Sequence, residues 1–183
     1  MAEYSDRSYP PEMVTLEIIR ALDRNAPLIA GHVDGVEPAQ LRWKPSPGEW
    51  SMLEVLVHLA DEEVRDFRAR VEITLRGSGE AWPAIDPARW VGEERYNERD
   101  PTAELARFLE ERAKSVRWLV GLHAPAWDRT YDHPSLGVMR ASDLLAAWLA
   151  HDFLHLRQLN RLRRQHLEVV LAKGARLGYA GKW

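Results

Sequence analysis

Four stretches of this chain repeat their apolar residues at helical spacing, and no stretch alternates convincingly with period two. That pattern confines the chain to all-α architectures. Four such stretches in 183 residues, 45% of them hydrophobic, predict one domain spanning 1–183, a four-helix bundle. No internal period of about 20–50 residues appears, which removes repeat architectures.

The first stretch runs from about Pro11 to Val33, with Val14, Ile18, Leu22, Leu28 and Ile29 near helical spacing and Pro27 expected to kink or break it. Asp34 to Gly48 carries Gly35, Pro38, Pro45 and Pro47 and is expected to be a structured loop without a helix. Ser51-Met52-Leu53-Glu54 is a capping box, so a second helix starts there and runs to about Arg76, ahead of Gly77. Asp100-Pro101 couples an N-cap to a proline at the first helical position, opening a third helix with Leu105, Phe108, Leu109, Val116 and Leu119 on one stripe and Gly121 at its end. A fourth is expected after Ser142, with Asp143 in its first turn, reaching about Lys173 and burying Leu144, Trp148, Leu159 and Leu162. The connection from about Gly77 to Asp100 is long enough to cross the bundle, which would set the second and third helices parallel.

Charge and composition narrow the function classes. Twenty-five basic and 28 acidic residues leave a net charge of −3, with signs alternating along the chain, an arrangement that argues against nucleic acid as a partner. The one basic cluster, Arg157, Arg161, Arg163 and Arg164, falls near the end of the fourth helix, where cations suit the dipole. No run approaches the about 18 consecutive apolar residues of a membrane span, so no membrane partner is expected. The polar start from Met1 to Arg7 carries no export segment, and the expected location is the cytoplasm. The chain has no cysteine, so any metal must sit on His, Asp or Glu.

Two histidines stand out. His151 and His155 are four apart, about 40° round a helix and about 6 Å along it, so their imidazoles can meet at one point. They also lie on the apolar stripe between Trp148 and Leu162, where an unpaired polar group is costly and a metal ion would offset the cost. Ordinary core histidines bonded to a carbonyl or an acid fit the same spacing. His58, flanked by Val55 and Leu59, is the best third ligand, although Glu54, His58, Asp61, Glu62 and Arg65 also form a polar stripe compatible with a solvated helix face. His32, His123, His133 and His166 are expected at the surface.

Pro45-Ser46-Pro47-Gly48-Glu49-Trp50-Ser51, then Glu54 and His58-Leu59-Ala60-Asp61, resembles the signature segment of the DinB/YfiT-like superfamily. So does His133-Pro134-Ser135-Leu136-Gly137, leading into Leu144-Leu145 and His151-Asp152-Phe153-Leu154-His155-Leu156-Arg157-Gln158-Leu159, and so does the closing Gly178-Tyr179-Ala180-Gly181-Lys182-Trp183. The resemblance implies a four-helix bundle whose metal ligands are His58, His151 and His155. It also implies a choice among thiol-dependent transferases or isomerases, metal-dependent hydrolases, and members without an assigned activity.

Three function classes follow. In the first, zinc, nickel or another divalent ion activates water, or a low-molecular-weight thiol cosubstrate, against a small molecule. Asp152, Glu62 and Asp61 are then candidate bases or acceptors for ligand N–H groups, and Arg157 is a candidate anchor for an anionic substrate. In the second, His151-Asp152-Phe153-Leu154-His155 is a degenerate peptidase motif with Asp152 as base and Glu168 as third ligand, but Glu168 would lie about 25 Å along the same helix. In the third, the chain is a non-catalytic metal- or ligand-binding bundle, or a homodimer packed through exposed tryptophans, of which the sequence has eight in all.

Overall fold

A computed structural model describes residues 11–181, with side chains from Met13 onward; Met1–Arg7 and the closing Lys182-Trp183 lie outside the described residues. Helix α1 is Pro11–Val33 and the one-turn α2 is Pro38–Leu41. Helix α3, Met52–Glu62, continues through a π turn, Glu63–Phe67, into α4, Arg68–Arg76. The short α5, Pro87–Glu93, and the long α6, Pro101–Val120, follow. A hairpin of β1, Thr130–His133, and β2, Gly137–Arg140, feeds α7, Ala141–His166, which ends in a second π turn, Leu167–Leu171. No helix among these residues is long and apolar enough to cross a membrane.

Hydrogen bonds between helices fix their directions. Val57 meets Arg107, Glu63 meets Arg112 and Arg68 meets Ser115, so the α3–α4 column runs parallel to α6. The long connection therefore does cross the bundle. Asn25 meets Asp152 and Gly31 meets Arg163, which makes α1 parallel to α7. Leu22 bonds Arg112 while Val33 and Leu105 line one depression, so α1 opposes α6. His58 bonds His151 whereas Glu63 bonds Trp148, so α3 opposes α7.

The predicted caps explain most helix starts. Ser51 N–H donates to Glu54 Oε2 at 2.8 Å and Glu54 N–H to Ser51 Oγ at 3.1 Å, completing the capping box. Ala103 N–H donates to Asp100 Oδ1 at 2.7 Å, ahead of Pro101. Gly77 ends α4 at φ 62°, a left-handed conformation that favours glycine.

Several expectations are corrected. Pro27 stays inside an unbroken α1 because its ring sits on the exposed side, where water can satisfy the carbonyl one turn back. The buried stripe of α1 is Ile19, Leu22, Ala26, Ile29 and Val33, whereas Val14 and Leu28 are 43% and 56% exposed. The proline-rich loop does hold a helical turn, since Pro38 occupies the first position of α2, where no N–H is needed. Helix α7 begins at Ala141 rather than after Ser142. Ala141 and Ser142 donate their N–H groups to Arg129 O and Trp127 O, so the preceding loop, not the Ser142 hydroxyl, satisfies the first turn. The hairpin was missed because its strands are four residues each and half exposed, too short to show a period.

Among the described residues Trp82 and Trp148 are buried and the other five tryptophans are half-buried. Each of these seven contributes to this chain's own packing.

Candidate metal centre

Every residue of α3 from Met52 to Glu62 is buried, because the crossing connection packs on the face turned away from the bundle axis. Tyr96 OH donates to Asp61, Ser51 hydrogen-bonds Asn97, and Arg65 spans Asp61, Glu94 and the Trp90 ring. The polar stripe on α3 is therefore interior, and the solvated-face reading of Glu54, His58, Asp61 and Glu62 does not hold.

From that stripe His58 points at the fourth helix. Its Nε2 lies 3.2 Å from His151 Nε2, which lies 3.0 Å from His155 Nε2. The three ring nitrogens all fall within 4.8 Å of one another. His58 and His155 are buried and His151 is half-buried. Trp50 stands edge-on to His58 at 4.9 Å and parallel to His155 at 6.5 Å, and Phe67 packs on His151 at 5.1 Å.

The far nitrogen of His155 sets its tautomer. Gln158 Oε1 sits 2.8 Å from His155 Nδ1, so Nδ1 carries the proton and Nε2 presents a lone pair. His58 Nδ1 lies 3.5 Å from Glu62 Oε1, and neither atom has a hydrogen-bond partner. Whichever nitrogen of His58 carries its proton, at most one of the two contacts to His151 Nε2 can be a hydrogen bond. Burial lowers the pKa of each imidazole, and neighbouring imidazoles add to the effect at His58, lowered to about 2, and His151, lowered to about 3, so protonation does not relieve the conflict. A cation would. The neutral, deprotonated Nε2 set is the form that binds divalent transition metals, and the residues present fit such an ion.

The other candidates separate by role. Glu62 belongs to the cluster through His58; burial, then its hydrogen bond to Asp66, raises its pKa to about 9. Asp61 is taken up by Arg107 at 2.7 Å, with Tyr96 and Arg65. Asp152 adjoins His151 in sequence yet gives both carboxylate oxygens to Arg112 at 2.7 Å and accepts from Asn25 at 3.1 Å, a structural ion pair rather than a poised base. Arg157 is exposed on another flank of α7. Glu168 pairs with Arg164 on the terminal π turn, which removes the peptidase reading. His166 is a correction: it is buried edge-on against Trp43 at 5.3 Å. Sequence reasoning missed Gln158 and Trp50, although Gln158 at three residues past His155 on one helix face was a usable signal.

Fold and cluster together define a class: a helical bundle with a crossing connection that gathers three imidazoles from two antiparallel helices. The chain belongs to the DinB superfamily, which it matches over residues 21–159. Among solved structures it is similar to YfiT from Bacillus subtilis, described as "a probable metal-dependent hydrolase with an unusual four-helix bundle topology". The two share 21% sequence identity at a TM-score of 0.75, over 90% of this chain and 94% of YfiT, which establishes the shared fold. No curated protein matches the sequence.

Proposed function

We propose that this chain is a metal-dependent enzyme acting on a small molecule, with His58, His151 and His155 holding one divalent ion, zinc or nickel first among the candidates. The observation that carries the reading is the convergence of three imidazole Nε2 atoms within 4.8 Å of one another, where at most one of the two close contacts can be a hydrogen bond. Three neutral ligands leave a cation's charge uncompensated, and such an ion, when bound, supplies Lewis-acid stabilisation to negative charge developing on water or on a thiol. Hydrolysis is the branch supported by the description of YfiT. Thiol transfer to an electrophile is the other branch, and since the chain has no cysteine the thiol would be a cosubstrate.

The chain's own residues orient and enclose. Gln158 fixes the ring of His155, and Glu62 faces the Nδ1 of His58 while keeping its own proton near neutral pH. Trp50 and Phe67 wall the cluster with apolar surface, which weakens competition from bulk water. Elemental analysis of the purified chain, before and after chelation and reconstitution, is the first test, and one ion per chain is expected. The loaded protein is then assayed against a reactive ester and a generic electrophile, without thiol and with glutathione, mycothiol or bacillithiol. Turnover without thiol supports hydrolysis, and turnover only with thiol supports transfer. A chain that takes up no stoichiometric metal ends the proposal, and a loaded chain without turnover in any arm reduces it to a binding protein.

A further inference from the structure

A cavity of about 500 Å³ lies between the last turn of α1 and the C-terminal third of α7, lined by His32, Leu156, Arg157, Asn160, Arg161 and Arg164. It opens on the flank of α7 that packs toward α1, whereas His151 and His155 turn toward α3, so it is separate from the imidazole cluster. Among the described residues three guanidinium groups, one imidazole and one amide line it, and no carboxylate does, in a chain whose net charge is −3. Its volume falls in the range of small-molecule sites.

The cations differ in what holds them. Glu49 accepts from Arg161 at 2.8 Å and Glu168 pairs with Arg164 at 2.5 Å; neither glutamate lines the cavity. Arg163, just outside, serves the architecture by donating to Gly31 O at the end of α1. Arg157 has no ion pair or hydrogen bond among the described residues. His32 Nδ1 is buried without a hydrogen-bond partner. That nitrogen is shielded from the cavity, so the donors the cavity presents are the arginines and the Asn160 amide. A free guanidinium fork, two further guanidiniums and one amide form a donor set for clustered anionic oxygens, beside Leu156 as an apolar wall for a carbon skeleton.

We propose that this cavity binds a small organic dianion, a phosphate monoester or a dicarboxylate, at a site independent of the imidazole cluster. The test is calorimetric titration of the full chain with glycerol phosphate, succinate and inorganic phosphate at about 0.15 M salt, where exposed charges are screened beyond about 8 Å. Saturable binding of one dianion per chain is expected for at least one organic ligand, and which one binds identifies the class. Arg157→Gln should weaken it about tenfold or more, with helix content unchanged by circular dichroism. Arg140→Gln, at the start of α7, and His58→Ala, which removes a proposed metal ligand, should leave it intact. No saturable binding, binding of inorganic phosphate alone, equal weakening by Arg140→Gln, or loss in His58→Ala would each overturn the proposal; the last would place the anion on the metal instead.

Discussion

Two buried polar clusters sit side by side in this bundle and solve the problem of burial in opposite ways. In one, Arg112, 1% exposed, donates to both oxygens of Asp152, to Glu63 and to Leu22 O, while Asn25 and Trp148 complete the shell. Opposite charges meet there, and almost every polar atom is used; Glu63 Oε2 is the exception. In the other, three imidazole Nε2 atoms face one another and their protons can satisfy at most one of the two close contacts. The first cluster ties α1, α6, α7 and the π turn together and is complete within the chain. The second leaves a contact that its own protons do not satisfy, and its three ring nitrogens could hold a cation. A buried polar group is evidence of function when its partners cannot satisfy it, and evidence of architecture when they can.

The largest effect is expected where the comparison is broken on the architectural side. Arg112→Ala would leave Asp152 and Glu63 as buried, unpaired carboxylates, a loss of about 3–5 kcal/mol. Urea unfolding should show most of the chain's stability gone whether or not metal is present. Metal itself comes next: at about a hundredfold excess over its dissociation constant the ion should stabilise the parent by about 2.7 kcal/mol. His58→Ala, His151→Ala or His155→Ala should each abolish that increment while leaving the metal-free melting curve nearly unchanged and the chain helical. If His58→Ala keeps the full increment, the third ligand is misassigned. Gln158→Leu removes the acceptor that fixes the His155 ring and should weaken metal affinity about 10–100-fold with little change in metal-free stability.

The two clusters were unequally legible. The triad was readable because its two helical ligands carry a spacing signal, four residues on one face, and because His58 lies on a helix whose start is written in Ser51 and Glu54. The Arg112 cluster was not. Asp152 beside His151 suggested a base, yet one residue along a helix is about 100° of rotation, which turns Asp152 to α1 and α6 while His151 faces α3. Arg112 interrupts the apolar stripe of α6, and a lone arginine there reads as surface until Glu63 and Asp152 are brought to it from 49 and 40 residues away. The burial of α3 was hidden for a similar reason: nothing local in Glu54, Asp61 or Glu62 announces that Tyr96 and Asn97 will cover them. Long-range pairing of charged residues is where periodicity stops informing.

The smallest effect sharpens the comparison from within the architectural cluster. Asn25 donates to Asp152 Oδ2 at 3.1 Å, but that oxygen also accepts from Arg112 Nη1 at 2.7 Å, and the second oxygen has its own bond to Arg112 Nη2. Replacing Asn25 by the near-isosteric Leu therefore removes one neutral donor without leaving the carboxylate alone, and a loss of about 1 kcal/mol is expected. The ion pair should absorb the change, so metal affinity stays at the parent value. Chemical denaturation measures the first quantity and competition with a chromophoric chelator the second. A loss as large as that of Arg112→Ala would mean that the neutral shell, not the charge pairing, holds Asp152 in place. A fall in metal affinity of about tenfold would mean that the two clusters are coupled through α7.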